Sequence, residues 1–172
     1  MNRLLLAFIV SIAAVTASAQ VTDSISLKVT PASQTVNRGE PVKIVVSLKN
    51  ESSQPISIFQ DKSHDASLLY SFDVASINGN RQCMTEMYAA SKEGEGYDDC
   101  PGAVPSSKVV VTPQSGYTLQ VESGTTVEDA TNLARIYLLN RAGIYILQVR
   151  RKDPLSNRVV KSNKVTITIV NR

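Results

Sequence analysis

The chain has 172 residues and a net charge of +3, a length that suits one domain with a real core. Aromatic residues make up 5% and tryptophan is absent, which argues against a sugar-binding aromatic platform. Charge is unevenly spread: nine acids lie between Glu51 and Asp99 against Lys62, Arg81 and Lys92, while nine bases lie between Arg135 and Arg172 against Asp153 alone. Two solvated faces would account for this, and the same asymmetry can steer a partner or pair two copies head to tail as a homo-oligomer.

The first nineteen residues have the three parts of an export signal. Arg3 gives a positive start, Leu4 to Val15 form an apolar run broken only by Ser11, and Ala17-Ser18-Ala19 offers the small residues of a cleavage site before Gln20. The apolar run is too short for a stable bilayer span, and no later segment is apolar enough to make one. Gln20, not cysteine, follows the cut, so a lipoprotein anchor is not expected. The expected product is a single domain, residues 20–172, secreted or periplasmic, without a membrane span and away from nucleic acid.

Along the mature chain the pattern has a period of two. Ile25-Ser26-Leu27-Lys28-Val29 reads as a strand ended by Pro31, and Asn37-Arg38-Gly39-Glu40 as a turn. Val42, Ile44, Val46 and Leu48 then share one face of the strongest strand in this half. Asn50 to Ser53 reads as a turn, Ile56 to Phe59 as a short strand, and residues 60–67 as a loop. Leu69 to Ile77 reads as a strand closed by the hairpin signal Asn78-Gly79-Asn80, with residues 81–88 as its partner. Residues 89–106 form the longest irregular stretch, one that is normally functional or pinned by a staple. Strands are expected at 108–112 and 117–122, a loop at 123–129, and a strand or a helical turn at 130–140. Two alternating runs, Gly143 to Arg150 and Val165 to Val170, read as a closing strand pair, with Tyr145, Leu147, Val149, Val165, Ile167 and Ile169 facing inward. Short strands separated by turns, with no helices between them, point to an all-β antiparallel sandwich.

Cys83 and Cys100 are the two cysteines of an exported chain, and an even count there points to a disulfide between them. Closing that loop would contribute roughly 3 kcal/mol, mainly by restricting the unfolded chain. Two free thiols or an intermolecular bridge are the alternatives.

Ala142-Gly143-Ile144-Tyr145 followed by Ser162-Asn163-Lys164-Val165-Thr166-Ile167 resembles the end of immunoglobulin-like domains in secreted bacterial proteins. Gly39-Glu40-Pro41-Val42-Lys43-Ile44, with Leu48-Lys49-Asn50 and Pro55-Ile56-Ser57-Ile58, fits the same pattern. The middle of the chain also resembles the small β domain that precedes the catalytic domain of some deuterolysin-type metallopeptidases, though the peptidase zinc motif is absent. The resemblance implies an immunoglobulin-like sandwich and carries no function with it, because that architecture hosts many roles.

No residue stands in a catalytic motif, and no cofactor or metal is expected. His64, the one histidine, lies between Asp61 and Asp65 and could serve as a metal ligand or a hydrolase base. Zinc would need further ligands, only carboxylates are near in sequence, and no serine sits in a Gly-x-Ser-x-Gly elbow. A surface loop is the simpler reading of His64. The better binding candidate is the acidic stretch holding Glu93, Glu95, Tyr97, Asp98 and Asp99. Its carboxylates could supply oxygens to calcium, although the EF-hand spacing is missing. Asn50-Glu51-Ser52 fits the N-glycosylation pattern, which matters only in a eukaryotic host.

The expected function is that of a non-enzymatic protein-interaction module, binding another protein through the disulfide-stapled loop or an edge strand. The alternatives are a protease inhibitor of the same fold, or a small hydrolase built on His64.

Overall fold

A computed structural model describes residues 23–85 and 116–171. Two main sheets and a two-stranded one share a single core. In the first sheet β1 (Ile25–Pro31) pairs with β3 (Lys43–Asn50), and β3 pairs with β7 (Thr126–Asn132), all antiparallel. The second runs β2 (Thr35–Asn37), β10 (Val165–Val170), β8 (Gly143–Lys152), β5 (Ser71–Ser76), with β9 (Val159–Lys161) also on β8. The small sheet pairs β4 (Ile56–Asp61) with β6 (Gly116–Val121).

The strands form where apolar side chains alternate without a break. Val42, Ile44, Val46 and Leu48 are all buried, and so are Tyr145, Leu147, Val149, Ile167 and Ile169; Val165 packs partly buried against them. Register puts Leu147 opposite Val165 and Tyr145 opposite Ile167, so both strands turn the same face inward. Each such aliphatic side chain gains roughly 1.5–3 kcal/mol on leaving water.

The domain is largely all-β and mostly antiparallel, but the second sheet is mixed, which corrects the expectation of a purely antiparallel sandwich. After Pro31 the chain leaves β3, crosses to the other sheet and runs as β2 parallel to β10, Thr35 beside Thr168 and Asn37 beside Val170. Three residues between a proline and a glycine turn leave too little pattern to read. Gly39 completes that turn at φ +86°, a conformation that costs glycine little.

Other departures have local causes. Residues 123–129 are not all loop: β7 begins at Thr126, and its inward positions are Val127, Asp129 and Thr131, so polar side chains hide the alternation. Within the expected loop, β4 runs on to Asp61, and a single helical turn, α1 (Ala66–Leu69), follows, capped by Asp65 accepting from Ser67 N–H. The 130–140 segment holds the end of β7 and a 3-10 turn at Leu133–Arg135, capped by Asn132. The hairpin at Gly79 forms as expected, with Ser76 N–H donating to Asn80 O, but its second arm pairs only briefly. Gln82 N–H reaches Val74 O, and then Thr85 N–H donates to Ile136 O while Leu138 N–H donates to Cys83 O. Residues 81–85 thus sew β5 to the segment that follows β7, joining the sheets along one side.

Side chains substitute for strand neighbours where ladders break. Asn50 is fully buried at the corner where β3 turns into β4 and β6 into β7. Its Nδ2 donates to Gln54 O and Val121 O, and its Oδ1 accepts from Ser52 N–H and the Ser52 hydroxyl. With both amide hydrogens of Nδ2 committed, a glycan on Asn50 does not fit the folded domain. Ser162, between β9 and β10, accepts from Val149 N–H through its hydroxyl. At the start of β8 the Tyr145 hydroxyl donates back to Arg141 O at 2.8 Å.

Candidate functional site

Cys83 is not a free thiol, and its expected partner Cys100 lies outside the described residues. So do Glu93, Glu95, Tyr97, Asp98 and Asp99, the acidic binding candidates.

His64 sits in the turn between β4 and α1 at φ +53°, with its side chain 52% exposed. The imidazole nevertheless points its Nδ1 inward, 3.3 Å from Oδ1 of Asp129 and 2.9 Å from Nε2 of Gln60. Asp129 is fully buried, and its other oxygen accepts from the Tyr70 hydroxyl at 2.9 Å. Gln60, also fully buried, donates to Asp129 Oδ1 as well. Beneath them the Arg151 guanidinium stacks 5.0 Å from the centre of the Tyr70 ring and donates to Phe59 O at 2.7 Å.

Burial, together with the Asp129 carboxylate, pushes the Tyr70 phenol well above its usual range, against a smaller opposite pull from Arg151. The phenol therefore stays a donor to Asp129. A buried carboxylate is tolerated only when paired and hydrogen-bonded, and this one accepts from donors on β4 and at the end of α1, with the His64 ring against it. The cluster fastens β4, α1, β7 and β8 together.

A histidine oriented by a buried aspartate is half of a hydrolytic triad. Here Gln60 shares Nδ1, and among the described residues no hydroxyl or thiol hydrogen-bonds to the imidazole. The nearest sequence serine, Ser63, gives its hydroxyl to Asp61 instead. Nor, among the described residues, do three or more histidine, cysteine or acidic side chains gather as a metal site would require. Of this cluster, sequence reasoning names His64 and its acidic neighbours but misses Gln60, Tyr70 and Asp129. An acid in phase with Val127 on a strand would have been the signal, had β7 been legible.

The feature with room for a ligand lies elsewhere. A groove of about 650 Å³ opens along β5 and β8, within the range of ligand-binding clefts. Ala75 and Ile146, cross-strand neighbours, give it an apolar stretch, which Ile77 and Met84 extend. Its polar end carries Arg150, Lys161 and Lys164, while Arg81 bridges Ala75 beside the apolar stretch. Arg150 Nε lies 2.8 Å from Asp73 Oδ2, an ion pair without an aligned hydrogen bond. Arg81, Lys161 and Lys164 have no ion pair among the described residues. The basic C-terminal region noted in the sequence supplies most of this charge, while Asp73 is the one acid among the described lining residues.

No protein-family model matches the chain, and no curated protein is similar to it.

Proposed function

We propose that this chain is an exported, non-enzymatic interaction module of immunoglobulin-like architecture, stapled by a Cys83–Cys100 disulfide, that binds another protein. The architecture is supported by the first strand pair dividing between the two sheets, with β2 parallel to the last strand, and by the Tyr145 hydroxyl closing onto Arg141 O. The export signal read at residues 1–19 supports a location in the envelope or outside the cell. The observation that carries the binding role is the groove along β5 and β8, with three cations that no anion of the described chain neutralises. The His64 cluster serves the fold: Asp129 holds Gln60 and Tyr70, and Arg151 holds Phe59 O. Among the described residues no hydroxyl or thiol bonds to the imidazole, although Gln60 Oε1 and Arg151 Nη1 are buried without a partner.

Cross-linking of the processed protein in its native envelope or culture fluid, with the links located by mass spectrometry, tests this. A specific partner joined through Lys161 or Lys164 is the expected outcome. Self-links alone, or a hydrolytic activity lost in His64→Ala with the fold intact, would overturn the proposal.

A further inference from the structure

Among the described residues the groove gathers more positive than negative charge. Arg150 and Lys161 stand directly opposite each other on β8 and β9, side chains on the same face. Like charges in that relation destabilise a sheet. Asp73 on β5 neutralises Arg150 from the other side, and among the described residues no acid pairs with Lys161, nor with Lys164 and Arg81 on the same groove.

The order of side chains along β8 sets the shape of what could relieve this. Ile146, Gln148 and Arg150 point outward in succession, from the apolar end of the groove to the cationic end. Four residues of strand separate Ile146 from Arg150, roughly 13 Å. An occupant that satisfies both ends is elongated, apolar at one end and anionic about that distance away. Among the described lining residues no exposed aromatic offers a stacking face, and the chain has no tryptophan, which disfavours sugars and nucleobases.

Building on the binding role proposed above, we infer that the groove takes an extended acidic peptide segment of the partner, with an apolar side chain on Ala75 and Ile146 and a carboxylate between Lys161 and Lys164. Charge complementarity names the occupant: Lys161 and Lys164 have no ion pair among the described residues, and the one acid among the described lining residues is already engaged by Arg150.

Random peptides displayed against the processed full-length protein provide the test. Selected sequences should combine Asp or Glu with an apolar residue a few positions away, and shift the amide resonances of Ile146, Lys161 and Lys164. Lys161→Glu with Lys164→Glu should weaken a selected peptide about tenfold or more, and peptides with Lys in place of Glu should recover binding. Both lysines lie in exposed positions, and a thermal melt checks the fold; Lys161→Gln with Lys164→Gln supplies a second variant that removes the charge without reversing it. Peptides without acids, or binding that ignores the reversals, would overturn the inference. So would anionic vesicles or a sulfated polysaccharide occupying the same residues while no peptide is selected, or self-association that the reversals abolish. A partner cross-linked through another face would remove the groove's role yet leave the interaction module standing. Acidic peptides bound in the groove of a protein that cross-links to no partner would do the reverse.

Discussion

The side chain of Asn163 takes the place of a neighbouring strand for Val29. Its Oδ1 accepts from Val29 N–H at 2.9 Å and its Nδ2 donates to Val29 O at 3.1 Å. One carboxamide thus reproduces both hydrogen bonds of a ladder rung. It closes part of the outer edge of β1 and ties that strand to the break between β9 and β10. Exposed edges invite pairing with other chains, and short local covers of this kind limit it.

Asn163→Ala should therefore cost about 1–2 kcal/mol and open the edge. Hydrogen exchange would show it: the Val29 amide should lose protection far more than that of Lys28, which points toward β3. Equal loss at both would mean that Asn163 supports the strand in some other way.

The Asp129 cluster gives a ranked set of effects. Tyr70→Phe removes a buried donor from a buried carboxylate and should cost about 1–3 kcal/mol. Asp129→Ala strands Gln60 and Tyr70 together and should cost more, about 3–5 kcal/mol. His64→Ala touches a half-exposed ring and should cost less than about 1 kcal/mol. Urea unfolding of the three variants tests the ranking, and a His64→Ala loss as large as that of Tyr70→Phe would contradict it.

Asp153 predicts a pH dependence. Burial pushes its carboxyl up, but hydrogen bonds from Ser156 N–H, the Ser24 hydroxyl, Leu155 N–H and Ser24 N–H outweigh this and hold the group below the usual aspartate range. A depressed folded-state value means that the group stabilises the domain above the unfolded aspartate range, about pH 4. That contribution is lost as pH falls through the folded value. Asp153→Asn should be less stable than the parent at pH 7, with the gap narrowing in acid. Urea midpoints followed from pH 7 downward check the sign, and a gap that widens in acid would refute it.

Asn50→Ala should be among the most damaging single changes away from the aliphatic core, at about 3 kcal/mol, because Gln54 O and Val121 O lose their donor together. Expressed in a glycosylating host, correctly folded protein should carry no glycan at this position. A mass increase at Asn50 in protein with native hydrogen-exchange protection would contradict the corner described here.

Legibility in the sequence followed the continuity of the apolar pattern. Ile44, Val46 and Leu48, or Tyr145, Leu147 and Val149, alternate without interruption, and those strands form where the pattern places them. β7 was hidden because its inward face carries Asp129 and Thr131, whose burial depends on partners distant in sequence. β2 draws its hydrogen bonds from β10, more than a hundred residues away, and no local pattern encodes that pairing. His64 stood out as a lone histidine, but the residues that turn it inward are Gln60 within its own loop and Asp129 far along the chain. The groove is assembled from β5, the 77–84 hairpin and the β8–β10 region, and its charges come together only when register sets Lys161 beside Arg150.

The parallel pairing of β2 with β10 also decides how the domain meets mechanical force. Tension drawn through the two ends of the chain pulls these strands past each other along their length. Thr168 N–H to Gln34 O and Arg38 N–H to Val170 O then carry load together with the rungs between them. Such bonds rupture collectively in shear, whereas a hairpin pulled at its ends unzips one rung at a time. The short crossover strand makes a tether out of a domain whose other sheets would peel.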